Sequence, residues 1–107
     1  MTINIIVKLQ VEGIHHWPEC PIVEVDFLKY PHRHIFHITC KKQVNHEDRD
    51  IEIIQLKRKI NDYLIQRFSG NFEKMSCEMI AVHLINKYHL CYCSVLEDNE
   101  NGAEVIR

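Results

Sequence analysis

The chain has 107 residues, 46% of them hydrophobic and 26% charged, and a formal charge of -2. That length fits one domain over residues 1–107, and the composition excludes the highly charged, poorly hydrophobic class of disordered chains. Acidic and basic residues are interspersed, so there is no basic field of the kind that draws a protein onto nucleic acid or an anionic membrane, and neither is expected as a partner.

From Ile3 to Gly13 the apolar residues Ile3, Ile5, Val7, Leu9 and Val11 recur at every second position, which predicts a half-buried strand. Lys8 and Glu12 interrupt this start, so it does not read as a signal peptide. The five cysteines form an odd set with no paired framework, and reduced thiols and a cytoplasmic location are expected. No apolar run approaches the roughly 18 residues of a membrane span. Trp17-Pro18-Glu19-Cys20-Pro21 and Lys29-Tyr30-Pro31 are turn-prone, and between them Ile22, Val25 and Phe27 are expected to extend a strand. His32 to Val44 reads as a second long strand in which His32, His34, Phe36, Ile38 and Cys40 share one parity, with His37 facing the other way.

Asn45 to Asp50 is polar and breaks the alternation. Ile53, Leu56, Ile60, Leu64 and Phe68 then recur at three- and four-residue spacing, predicting an amphipathic helix closed by Ser69-Gly70-Asn71. Ser76 is placed to N-cap a second helix with Glu78 in its first turn and Ile80, Ala81, Leu84, Ile85 and Tyr88 along one stripe. Leu90 to Leu96 and Ala103 to Ile106, joined by Asn99-Glu100-Asn101-Gly102, read as a closing hairpin. The expected fold class is therefore α+β, with a four-stranded antiparallel sheet, two helices on one face and the order ββααββ. Open edge strands in such a sheet are expected either to be blunted or to pair with further copies of the chain.

Eight histidines in so short a chain stand out. Strand geometry lets His32 and His34, two residues apart, reach one point above the sheet, and a third imidazole is expected from His15 or His16 at the end of the neighbouring strand. Three neutral imidazoles leave one zinc position open, the arrangement suited to polarising a substrate oxygen or binding water. The competing reading is a set of solvated strand histidines. His46, His83 and His89 are assigned no role, and Cys91 and Cys93 are read as packing residues.

Val11-Glu12-Gly13-Ile14-His15-His16-Trp17-Pro18, His32-Arg33-His34, Glu52-Ile53-Ile54-Gln55-Leu56-Lys57, Met75-Ser76-Cys77-Glu78-Met79-Ile80-Ala81 and Val95-Leu96-Glu97-Asp98 together resemble motifs of one family. It is the 6-pyruvoyl-tetrahydropterin synthase and 6-carboxytetrahydropterin synthase branch of the T-fold proteins, and the likeness runs along nearly the whole chain. The resemblance implies a T-fold unit with zinc held by His15, His32 and His34. It further implies a pterin- or purine-like ligand, with Ser76 beside it and Glu97 gripping its guanidine-like edge through two parallel charge-assisted bonds. Assembly into a homo-oligomer, a trimer or hexamer, is expected.

Arginine replaces the family's central glycine at Arg33, on the face away from the ligands. No cysteine lies in Phe27-Leu28-Lys29-Tyr30-Pro31, where the family carries its proton-transfer thiol, and Arg67-Phe68-Ser69-Gly70 lacks its Asp-His pair. The catalytic residues are therefore unknown. Two functions are expected: a zinc-dependent lyase acting on a dihydroneopterin-triphosphate-like substrate, or a non-catalytic module that sequesters or senses a purine-, pterin- or nucleotide-like ligand.

Overall fold

The computed structural model describes residues 1–107. The alternating N-terminal segment runs as a 13-residue strand, β1 (Ile3–His15), four residues beyond Val11, where its apolar alternation ends. It pairs antiparallel along its whole length with β2 (His32–Val44), from Ile3 opposite Val44 to His15 opposite His32. Two further strands, β4 (Tyr92–Glu97) and β5 (Asn101–Ile106), extend the sheet beyond β2, each antiparallel to its neighbour.

The sheet is mixed and has five strands rather than four, in the order β3-β1-β2-β4-β5. The additional member, β3 (Asn71–Glu73), lies parallel to the end of β1. Its three residues are too few to display a two-residue period. Its central Phe72 is 1% exposed, so burial of one large ring holds the segment in place.

Ile22, Val25 and Phe27 do not extend a strand. Val23–Lys29 forms a 3-10 helix, and the amides of Val25 and Tyr30 donate to the carbonyls three residues back, Ile22 and Phe27, at 3.2 Å each. Prolines at 18, 21 and 31 surround a segment in which Ile22, Val25 and Leu28 recur every third residue, a spacing that suits this tighter helix and not a strand.

Helix α1 (Ile53–Phe68) starts at Glu52, whose carboxylate accepts from the amides of Ile54 and Gln55, and ends at Ser69 in the left-handed region. Helix α2 (Cys77–Tyr88) starts at Ser76, whose hydroxyl oxygen accepts from the Met79 amide at 3.2 Å. Each side-chain oxygen satisfies donors that the first helical turn leaves free. No helix is long and apolar enough to cross a membrane.

Both helices cover one face of the sheet. Their buried rows, Leu56, Ile60 and Leu64 in α1 and Ile80, Ala81, Leu84 and Ile85 in α2, join Val7, Leu9, Val11, Phe36, Ile38, Cys40, Cys93 and Val95 in one apolar core. The opposite parity of β1, with Lys8, Gln10 and Glu12, is exposed. Arg33 lies on that outer face, paired with Glu12 at 2.9 Å. Its side chain therefore points away from the inward side chains of His32 and His34 on either side of it.

Candidate metal and ligand site

The inward parity of β1 that buries Val7, Leu9 and Val11 continues through Gly13 to His15. Across the ladder, Gly13 faces His34 and His15 faces His32. Gly13 is required by space: a Cβ there would come within 2.6 Å of the Phe72 ring. Its missing side chain lets Phe72 pack beside the strand end that carries His15.

His15, His32 and His34 are thereby gathered, with ring centroids 4.6, 5.4 and 5.0 Å apart for the pairs His15–His32, His15–His34 and His32–His34 in that order. The Phe36 ring lies beneath them, edge-on to His15 at 5.1 Å. Glu97, opposite Phe36 at the end of β4, brings a carboxylate to the same point. One donor atom from each of His15, His32, His34 and Glu97 lies within 4.8 Å of the others, a cluster able to hold a metal ion.

The proton on each ring is fixed by its outer partner. His15 Nδ1 is 2.8 Å from the Met75 carbonyl, and His32 Nδ1 is 2.9 Å from the Tyr30 carbonyl. Carbonyls only accept, so both Nδ1 atoms carry the proton. His34 Nδ1 lies 2.7 Å from Asp98 Oδ2, and that bond, followed by one from the Ile35 amide, holds the Asp98 carboxyl below its usual range. The carboxylate is the acceptor there. All three rings therefore turn an Nε2 lone pair inward, with the oriented outer shell typical of metal-binding imidazoles.

Burial lowers the His15 pKa, outweighing the bond to Met75 and the nearby Glu97 charge, which both raise it; the neighbouring imidazoles add to the lowering. The ring is neutral at neutral pH. Its Nε2 lies 2.9 Å from Glu97 Oε2 yet has no hydrogen-bond partner, although the residue is only 8% exposed. Two acceptors face each other across that gap. A cation between them would satisfy both, so the donor set fits a divalent metal.

Beside the cluster lies a cavity of about 530 Å³ whose wall includes His15, His32, Glu97, Ser76, Cys77 and Trp17. Ser76 and Glu97 thus share one cavity with two of the histidines. His16 also borders it but supplies no donor to the cluster. A larger, more polar concavity of about 880 Å³ contains none of these groups.

Sequence periodicity singles out neither Asp98 nor Cys77. Asp98 follows Glu97, and neighbours on a strand face opposite ways; only its left-handed φ of 53° turns it back toward His34. The acidic pair closing a strand is the available signal. Cys77 stands on the cavity wall, its thiol pushed up to about 12 by burial and by the Glu97 and Glu78 charges. Cys20 is buried instead within its own loop, its Sγ 3.7 Å from the Ile22 and Val25 carbonyls.

Compared with known proteins, the sequence matches no family model, and no curated protein matches it.

Proposed function

We propose that the chain is a zinc-binding T-fold protein of the 6-pyruvoyl-tetrahydropterin synthase and 6-carboxytetrahydropterin synthase type. In this reading it binds a pterin- or purine-like ligand in the cavity beside His15 and His32. The observation that carries it is the set of three inward-facing Nε2 atoms, each held by an outer acceptor, next to a cavity that also presents Ser76 and Glu97. Bound zinc would supply a Lewis acid able to polarise an oxygen of the ligand. Glu97 can accept from the N–H edge of a planar heterocycle, and the Ser76 hydroxyl keeps its proton free to donate while its oxygen caps α2.

Two forms of this function differ in whether a proton is moved. A lyase acting on dihydroneopterin triphosphate is favoured by the Cys77 thiol, which stands on the cavity wall and stays protonated at neutral pH. A binding module is favoured by Cys20, which is turned away from the cavity, and by the absence of cysteine from Phe27 to Pro31. Loss of acid–base groups typically costs 10²–10⁴-fold in rate, so we take metal-dependent binding as the primary function. The reading includes a homo-oligomer, a trimer or hexamer. The outer edge of β5 has no partner strand, and β3 covers only the last residues of β1; pairing between copies would satisfy both edges.

The test is zinc analysis of the purified protein, combined with fluorescence titration by neopterin and incubation with dihydroneopterin triphosphate. One zinc per chain and chelator-sensitive neopterin binding are expected, with turnover marking the lyase form. Zinc-free protein that ignores both pterins would overturn the proposal.

A further inference from the structure

Glu97 belongs to two surroundings at once. Its Oε2 is 2.9 Å from His15 Nε2 and its Oε1 is 3.6 Å from His34 Nε2, and the same side chain lines the neighbouring cavity. Donors bound to one tetrahedral zinc at 2.0–2.2 Å stand roughly 3.3–3.5 Å apart, the edge of the tetrahedron. The two carboxylate contacts bracket that edge. His15 Nε2 is buried and has no hydrogen-bond partner, and the Glu97 oxygen facing it is another acceptor. The pair is arranged as two donors to a common cation, because the Nδ1 proton of His15 is committed to Met75 and its Nε2 makes no hydrogen bond to the carboxylate it faces.

We infer that Glu97 is a carboxylate gate: with the cavity unliganded it completes a four-donor metal site of three histidines and one glutamate, and a ligand entering the cavity must draw it off the metal. This rests on the metal and ligand reading given above and goes beyond it, since three histidines alone would leave the ion permanently open. Two properties of the cluster favour exchange over a fixed fourth ligand. The histidines are each clamped at Nδ1 by a carbonyl or carboxylate, whereas the Glu97 carboxylate is held from behind by nothing stronger than the Cys77 thiol, a weak donor. Its side chain is also more exposed than those of the two histidines it faces, 30% against 10% for His15 and 19% for His34. A carboxylate that leaves the metal is then free to accept the N–H edge of an incoming heterocycle, so one side chain both closes the ion and selects what may open it.

Cobalt(II) provides the readout, because its visible spectrum reports ligand exchange without requiring turnover. The cobalt-loaded full chain is titrated with thiocyanate, alongside Glu97→Gln and Glu97→Ala, with circular dichroism to confirm that each variant is folded. The expected result is a wild-type spectrum that resists thiocyanate and variant spectra that shift at low thiocyanate. Cobalt affinity should fall by at least about 10-fold in both variants, the lower end of what losing even an outer-shell partner costs. A wild-type spectrum that shifts at the same thiocyanate concentration as Glu97→Ala, or unchanged cobalt affinity in the variants, would overturn the gate. Neopterin is then added to wild-type cobalt protein without thiocyanate. A spectral change supports displacement of the carboxylate. No change, with anion resistance intact, would overturn ligand-driven opening and the pterin reading while leaving the four-donor site standing.

Discussion

The two halves of the β1–β2 ribbon obey the same alternation and end in opposite chemistry. In the middle, Val7, Leu9 and Val11 stand opposite Cys40, Ile38 and Phe36, all buried against the helices. At the end, Gly13 and His15 stand opposite His34 and His32, and the inward face presents imidazoles to a cavity. The middle is held by removal of apolar surface from water, which is insensitive to detail until volume is lost. The end is held by single polar contacts to Met75, Tyr30 and Asp98, which set direction rather than bulk stability. Substitutions in the first half should therefore unfold the chain, and those of the polar side chains in the second should disarm it.

Phe36 joins the halves, being fully buried and in edge contact with His15. Phe36→Ala should cost about 3–5 kcal/mol in urea denaturation and weaken metal binding as well; a loss confined to either property would break the comparison. Gly13→Ala comes next. Its methyl group would press on Phe72, which is only 1% exposed and has little room to move, so a loss of about 1–3 kcal/mol is expected by the same measurement. Asp98→Asn removes the charge behind His34 and should weaken zinc affinity by about 10–100-fold in a chelator competition. The urea midpoint of the metal-free protein should stay close to that of wild type. A large drop in that midpoint would place Asp98 among the structural residues.

The smallest effect lies away from both halves. Tyr63 Oη is 2.6 Å from His83 Nε2, and burial, followed by the Arg67 and Lys87 charges, lowers the His83 pKa from its ordinary value of 6.5. On acidification the unfolded chain takes up this proton before the folded one does. The stabilisation is complete above about pH 6.5 and drains away as pH falls through the lower folded value. Urea midpoints of metal-free protein between about pH 7.5 and pH 5 should consequently fall more steeply for wild type than for His83→Gln. Equal slopes would remove His83 from the account.

Much of this is legible in the sequence because periodicity reports which way a side chain faces. The shared parity of His32, His34 and Phe36 needs only a strand, and the rows on both helices need only their spacing. The failures occur where no period operates. The strand containing Phe72 is three residues long, and the Val23–Lys29 helix is built from local hydrogen bonds between prolines. Asp98 reaches His34 through one left-handed backbone angle. Resemblance alone marks Glu97 as a ligand anchor; its proximity to His15 depends on β4 lying beside β2 in a register that spacing along the chain does not encode.

Diffraction from zinc-loaded crystals at the zinc absorption edge bears most directly on the proposed metal centre. The account predicts one anomalous peak per chain, within bonding distance of Nε2 of His15, His32 and His34. A peak at any other position, or none, would contradict it.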